Sequence, residues 1–269
     1  MNKSALIQIH NLICQAGGKT MLDMAHWSVT AGERIAIVGH NGAGKSTLLR
    51  CLGGFVHPSR GDAVVLGRQL GPHTPPKALR QLRVEVGQVM QGLHLVQRVS
   101  ALDNVLMGVL GRRSGWRTWV RMHAAADVAA AEAALSDVGL LSKADERVDR
   151  LSGGEKQKVA IARMLMQRPK LILADEPTAS LDPLAASEVC SLLARAAAGA
   201  TLITVVHNPS LLPILADRVL GLKQGRIAFD LPLAQVDDRQ LASLYRPDTS
   251  ATEVPWLGPL FVESPEAQS

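Results

Sequence analysis

A segment rich in glycine and hydroxyl side chains, residues 39–47, has the spacing needed to hold phosphate groups. It reads GHNGAGKST and matches the pattern GxxxxGKS/T between an apolar stretch and a helical one. The glycines let the backbone wrap closely around an anion, and N–H groups at a helix start favour negative charge. Lys45 can reach the β- and γ-phosphates of a nucleotide, and Ser46 can ligate Mg²⁺. The predicted phosphate-binding residues are Gly39, His40, Asn41, Gly42, Ala43, Gly44, Lys45, Ser46 and Thr47.

Two adjacent carboxylates follow the apolar run LILA at residues 171–174. Asp175 and Glu176 are expected at the carboxyl end of a buried strand, where ligands of open α/β sheets bind. Asp175 suits coordination of Mg²⁺, and Glu176 suits polarising an attacking water molecule. Solvated acids at a strand end are common, so this interpretation depends on the phosphate-binding segment as well.

A third segment, LSGGEKQ at residues 151–157, precedes a helical run. Ser152 and Glu155 have the S-x-x-E spacing of a capping box. The two glycines between them, Gly153 and Gly154, leave the helix start bare enough to bind a phosphate. Capping and anion binding are compatible, so a capping role does not exclude phosphate binding by this segment.

In this order the three segments resemble the ATP-binding subunit of ABC transporters, over about residues 1–230. LSGGEKQ between a phosphate-binding loop and LILADEP is a combination typical of that family. The resemblance implies that Gln91 is the Q-loop glutamine, that Asp182 belongs to the D-loop and that His207 is the switch histidine. The implied catalytic residues are Glu176, His207 and Gln91, and the implied Mg²⁺ ligands are Ser46, Gln91 and Asp175.

The resemblance also implies ATP and Mg²⁺ as cofactors and a head-to-tail pair of ATP-binding subunits, expected to be a homodimer. Each ATP would lie between the phosphate-binding loop of one subunit and Ser152, Gly153, Gly154 and Glu155 of the other. The expected partners are integral-membrane permease subunits and, indirectly, a solute-binding protein, but not nucleic acid. The expected location is peripheral, at the cytoplasmic face of the inner membrane.

The direction of transport is indicated by residues 108–119, which read GVLGRRSGWRTW. This stretch resembles phosphonate-type importers, so the sequence predicts import of a phosphonate or phosphate ester. An exporter cassette and a soluble ABC ATPase acting on nucleic acid or ribosomes are the alternatives. The arginines and tryptophans here could form a solvated helix edge or contact permease loops or anionic lipid headgroups.

One departure from the family concerns the adenine base, which an aromatic side chain usually stacks on. Aligning Gly17 and Gly18 with the usual glycine pair places Gln15 at that position, and residues 11–22 contain no aromatic residue. We expect weaker nucleotide affinity or relaxed base preference, because phosphate contacts remain while ring contacts are lost.

The elements that must position these segments predict an α/β fold. Apolar runs at residues 5–9, 34–38, 62–66, 171–174 and 201–206 are predicted strands, and helical patterns separate them. Continuous apolar strands indicate a mostly parallel sheet that is buried on both faces. The resemblance adds a RecA-like core of the P-loop NTPase type, an N-terminal antiparallel β part and an inserted helical subdomain. Asp182 is the predicted N-cap of a helix with Pro183 at its first position.

Three regions follow from these patterns. Residues 1–91 and 152–245 are predicted to form the ATP-binding lobe, residues 92–151 a helical signature subdomain, and residues 246–269 a proline-rich tail. Within the subdomain, an alanine-rich run at residues 123–135 has high helix propensity.

Composition excludes several classes of protein. The chain has 269 residues, of which 47% are hydrophobic, so wholesale disorder is excluded. No apolar run approaches the roughly 18 residues that span a bilayer, and no secretory signal is visible, so a cytosolic chain is expected. The formal charge of +5 fits phosphate ligands, nucleic acid or an anionic membrane, and it fits an ordinary basic surface equally well. The cysteines Cys14, Cys51 and Cys190 are expected to be reduced core thiols.

Overall fold

The computed structural model describes residues 5–112, 124–179 and 181–245. Strands in these ranges form a four-stranded and a six-stranded sheet. The strands are β1 (Ala5–Ala16), β2 (Lys19–Thr30), β3 (Arg34–Val38), β4 (Arg60–Val65), β5 (Arg68–Leu70), β6 (Val86–Val89), β7 (Leu171–Asp175), β8 (Thr201–Val205), β9 (Arg218–Lys223) and β10 (Arg226–Pro232). The α-helices are α1 (Lys45–Leu52), α2 (Pro76–Glu85), α3 (Ala101–Leu106), α4 (Ala125–Asp137), α5 (Gly153–Leu165), α6 (Pro183–Ala196), α7 (Leu212–Leu215) and α8 (Asp238–Tyr245).

The four-stranded sheet is antiparallel, with the strand order β2-β1-β4-β5. Gly17 and Gly18 alone join β1 to β2, and their φ values of 56° and 77° suit a tight hairpin turn that favours glycine. The expected N-terminal antiparallel part is therefore confirmed. β1 is longer than the predicted strand 5–9, and β2 was not predicted because its polar residues interrupt the apolar pattern.

The six-stranded sheet has the order β10-β9-β3-β8-β7-β6, and its strands run parallel from β9 to β6. Only β10 is antiparallel to its neighbour. The mostly parallel α/β prediction is confirmed, and the bounds of β3 match the predicted strand 34–38. β7 extends one residue beyond the prediction, and β8 ends one residue short of it.

Each central strand contributes side chains to two hydrophobic clusters, one on either face of the sheet. Ile35 and Ile37 pack with α1 and the antiparallel sheet, whereas Ala36 and Val38 face the cluster that contains α5 and α6 residues. Burial on both faces explains the continuous apolar runs. Cys14, Cys51 and Cys190 are free and buried, as the sequence predicts; they are all core thiols.

The stretch between β6 and α5 is helical in its described residues. It contains α3, α4 and short 3₁₀ turns, with a single isolated bridge between Ser100 and Arg147. α4 coincides closely with the alanine-rich run. Most of the segment with arginines and tryptophans, at residues 113–121, lies outside the described residues, as does the predicted tail at residues 246–269. In the described ranges, no helix is long and apolar enough to cross a membrane.

Two helix starts confirm the predicted caps. The Asp182 carboxylate accepts hydrogen bonds from the backbone N–H groups of Leu184 and Ala185, at 3.1 and 3.0 Å. Ser152 and Glu155 form the complete capping box of α5. These caps stabilise the first turns of α5 and α6.

Gly108, which follows α3, sets how closely the helical region packs on α5. A Cβ atom added there would lie 2.2 Å from the backbone oxygen of Arg163. Gly108→Ala must therefore push α3 away from α5. We expect it to lower the free energy of unfolding by about 1–3 kcal/mol, as overpacking does. Urea denaturation followed by circular dichroism measures this change.

Gly111→Ala is the matched control for this prediction. A Cβ atom at Gly111 would meet only the Val84 side chain, at an ordinary distance of 3.6 Å. Equal unfolding free energies for the Gly108 and Gly111 variants would contradict the close approach of α3 and α5.

Candidate functional site

The phosphate-binding loop connects β3 to α1 at the carboxyl edge of the six-stranded sheet. Gly39, Gly42 and Gly44 have φ values of 152°, 82° and 100°, a region that side chains disfavour. At Gly39 the reason is also steric, because an added Cβ would lie 2.2 Å from the carbonyl oxygen of Leu222 in β9. The loop is therefore pressed onto the neighbouring strand, with the N-terminus of α1 at its end.

Lys45, the first residue of α1, is 6% exposed. Its Nζ donates hydrogen bonds to the carbonyl oxygens of Gly39, at 2.7 Å, and His40, at 3.0 Å. Burial lowers the pKa of Lys45, and the carboxylates of Glu176 and Asp175 oppose that shift. The ammonium group is thus held over the loop, where phosphate oxygens can replace the carbonyl oxygens as its acceptors.

Asp175 ends β7 and is 3% exposed. Its Oδ1 accepts a hydrogen bond from Ser46 Oγ at 3.1 Å. Burial raises the pKa of Asp175 and Glu176 adds to this effect, whereas the Ser46 hydrogen bond opposes it. A carboxylate and a hydroxyl fit Mg²⁺, which takes one or two protein carboxylates together with phosphate oxygens. The described residues contain no cluster of three or more His, Cys, Asp or Glu that could hold a metal ion alone.

The three predicted catalytic side chains meet directly after β7. His207 Nε2 lies 2.5 Å from Glu176 Oε1, and Gln91 Nε2 donates a hydrogen bond to Glu176 Oε2 at 3.3 Å. Glu176 has a φ of 52°, which is rare for a residue with a side chain and marks a strained position. Two loops therefore hold both oxygens of one carboxylate. The catalytic roles of these residues stay predictions.

The predicted signature residues lie apart from this cluster, at the N-terminus of α5. The side chains of Ser152 and Glu155 bond to each other's backbone N–H groups, and Lys143 bonds to Glu155 at 2.7 Å. Gly153 and Gly154 begin the helix between them. Asp182, the predicted D-loop residue, is engaged in capping α6. The side-chain hydrogen bonds of Ser152 and Glu155 thus run within this segment and to Lys143, not to the phosphate-binding loop of the same chain.

Among the described residues, each Trp and Phe ring packs against groups other than Gln15, and Tyr245, at the end of α8, is 52% exposed. Gln15 is exposed in β1 beside the hairpin turn, and Trp27 is buried. Phe55 lies under the Arg83 guanidinium, and Phe229 packs against Gly221.

Sequence reasoning missed two backbone supports of the phosphate-binding loop. The Met21 carbonyl, at an irregularity in the β1–β2 register, approaches Gly44, and the Leu222 carbonyl approaches Gly39. No local signal marks either contact, because each joins residues that are distant in sequence.

Comparison with known proteins identifies this arrangement. A family model described as ABC transporter matches residues 22–179. The chain belongs to the ABC transporter family. The ABC transporter cassettes are ATPases, so this chain is an ATP-binding cassette that hydrolyses ATP. The fold and the resemblance that its three segments predict are confirmed.

Two curated relatives are import subunits. The phosphonates import ATP-binding protein PhnC of Anaeromyxobacter dehalogenans (strain 2CP-C) is 47% identical over 225 residues, which are 84% of this chain. The chain spans only 45% of that relative's length. The hypophosphite import ATP-binding protein HtxD of Stutzerimonas stutzeri is 39% identical over 246 residues, covering 91% of this chain and 72% of that protein.

A solved structure shares the fold. It is the dimeric post-hydrolysis state of the ATP-binding cassette MJ0796 bound to ADP and Pi. The alignment has a TM-score of 0.75 and 26% identity, and covers 84% of this chain and 98% of that one.

Glu176→Gln tests the assignment of the general base. The variant retains the phosphate-binding loop, so ATP binding should be unchanged. Turnover should fall by about 10²–10⁴-fold, the usual contribution of a general base. Steady-state phosphate release and calorimetric ATP titration measure the two quantities. Glu132→Gln, in exposed α4, is the control, and hydrolysis by Glu176→Gln at the control's rate would remove Glu176 from this role.

Asp175→Asn tests the burial of charge in the nucleotide-free site. Because burial raises the folded pKa of Asp175, its ionised form costs folding free energy at neutral pH. The asparagine variant should therefore unfold at a higher temperature at pH 8. The difference should shrink on acidification and vanish below the unfolded-state pKa of about 3.9, where the wild-type carboxyl is protonated. A difference independent of pH, in thermal unfolding at several pH values, would contradict this explanation.

Proposed function

We propose that this chain is the ATP-hydrolysing subunit of an importer for phosphonates or related phosphorus oxyanions. The observation that carries the ATPase part is the convergence of Lys45, Ser46, Asp175 and Glu176 at one edge of the sheet. The relatives named for phosphonate and hypophosphite import support the solute class. Their names favour import over the exporter and nucleic-acid alternatives.

The hydrolytic step follows from the side chains around the phosphate site. Lys45 would neutralise charge on the β- and γ-phosphates. Glu176 would accept a proton from the attacking water, and His207 and Gln91 would hold its two oxygens in place. Ser46, Asp175 and Gln91 would hold Mg²⁺, which would withdraw charge from the phosphate oxygens.

The working unit is proposed to be a head-to-tail dimer of this chain. The side chains of Ser152 and Glu155 bond to backbone N–H groups of their own segment and not to the phosphate-binding loop of the same chain. The N-terminus of α5 can therefore face the nucleotide of a second copy. Leu184 beside the Asp182 cap is 82% exposed, which suits burial against a partner. The related cassette MJ0796 is dimeric with ADP and Pi bound.

The membrane subunit is proposed to dock in the groove that Gln91 borders, which would place this chain at the cytoplasmic face of the membrane. The groove has a volume of about 770 Å³, and its lining includes Arg50, Arg83, Arg163 and Asp175. Phe55, 53% exposed, adds an apolar wall. This lining suits an amphipathic permease segment that carries carboxylates.

Purification of the tagged chain from gently solubilised native membranes tests the proposed function. We expect a multi-spanning membrane protein at equal stoichiometry, and stimulation of ATP hydrolysis when the complex receives a phosphonate and its binding protein. Ribosomes or DNA as the co-purifying material, without a membrane protein, would contradict it.

Charge reversal in the groove locates the contact. Arg83→Glu should reduce the recovered membrane protein about tenfold, since placing like charges across an interface costs binding. The matched change Arg60→Glu, at an exposed position at the start of β4, should leave recovery unchanged. Equal recovery with both variants would place the membrane subunit elsewhere.

A further inference from the structure

The backbone just after Gln91 is held in an unusual conformation. Leu93 and His94 are consecutive residues with φ values of 54° and 48°. Side chains disfavour this left-handed region, and two neighbours there are strained unless other contacts hold them. The local hydrogen bonds are short turns, from Leu93 N–H to the Met90 carbonyl at 2.8 Å and from His94 N–H to the Gly92 carbonyl at 2.6 Å.

One side chain from another element holds both strained residues. Arg163 in α5 donates from Nη1 to the His94 carbonyl at 2.7 Å and from Nη2 to the Leu93 carbonyl at 2.6 Å. The pKa of Arg163 is lowered, and burial is the cause of this shift. A guanidinium group has a rigid planar fork that suits two adjacent acceptors, which an ammonium group lacks.

The position of Arg163 joins two functional regions. α5 begins at Gly153, in the signature segment, and Arg163 lies about 15 Å further along the same helix, at 1.5 Å per residue. On the other side, Leu93 follows Gln91 by two residues, and Gln91 bonds to Glu176. A displacement of α5 would therefore reach, through the Arg163 side chain, the loop whose Gln91 bonds to Glu176.

We propose that Arg163 is a positioning residue. It couples the position of α5, which begins in the signature segment, to the contact between Gln91 and Glu176. This inference rests on the proposed function, because it is the second copy's nucleotide that would move α5. Loss of the guanidinium lets Leu93 and His94 leave the left-handed region, and Gln91 then loses its place on Glu176. ATP binding changes little, because Lys45 and the phosphate-binding loop, which supply most of the proposed contacts with the phosphates, lie on other elements.

Arg163→Met in the full chain tests this role, since methionine keeps an unbranched apolar stem but donates no hydrogen bond. We expect kcat to fall by about 10²-fold, the usual effect of a misplacement near 1 Å, with KM for ATP within about twofold of wild type. Arg163→Lys should restore part of the lost rate, because one donor remains.

A double-mutant cycle separates this role from simple structural support. If Arg163 acts through Gln91, adding Arg163→Met to Gln91→Ala should lower kcat no further. Multiplying losses would overturn the proposal, as would wild-type kcat in Arg163→Met. Lys158→Met is the control, because Lys158 is a cation of the same helix that pairs with Glu188 in α6, and it should keep the wild-type rate.

Urea denaturation shows whether Arg163→Met folds. If it does not, Arg163→Lys takes its place in the cycle with Gln91→Ala, and we again expect no further loss of kcat in the double variant. A wild-type chain that binds but does not hydrolyse ATP would overturn the proposed function, and with it the positioning role of Arg163. If the wild type is active and the two substitutions lower kcat independently of each other, only the positioning role of Arg163 is overturned.

Discussion

The site depends on the burial of two opposite charges, one on a lysine and one on a carboxylate. Lys45 and Asp175 are nearly inaccessible to solvent, and burial disfavours the charged form of both. Loop carbonyls and the Ser46 hydroxyl offset only part of that cost. The phosphate chain of ATP supplies an anion for Lys45, and the Mg²⁺ that we propose Asp175 to hold would supply a cation for the carboxylate. Ligand binding is thereby coupled to the stability of the sheet edge.

The strand order of the six-stranded sheet brings these two charged side chains together. β3 and β7, separated by β8, end at the same edge and deliver the phosphate-binding loop and the two carboxylates to it. Glu176, the proposed general base, is held in a strained conformation by side chains from two loops. Under the proposed mechanism, the rate of hydrolysis depends on the positions of those loops, whereas nucleotide binding depends mainly on the loop between β3 and α1.

The sequence predicted the features that depend on local patterns and missed those that depend on contacts between remote elements. The phosphate-binding loop, the pair Asp175–Glu176 and the capping box are local patterns, and the structure shows each where it was expected. β9 was not predicted, because its apolar run is short, contains a central glycine and is bounded by Arg218 and Lys223. The left-handed residues Leu93 and His94 carry no glycine signal, since a distant arginine holds them. Contacts between remote elements were thus beyond a reading of local pattern.

The molar mass of Glu176→Gln under saturating ATP and Mg²⁺ tests most directly whether two copies complete one another's site. Light scattering during size-exclusion chromatography should give the 28.7 kDa of one chain without nucleotide and twice that mass with it. Adding Ser152→Asp, which places negative charge where the second copy's phosphate is expected, should return the mass to that of one chain. A single-chain mass with ATP bound would contradict the composite site, and hydrolysis would then have to be completed within one chain.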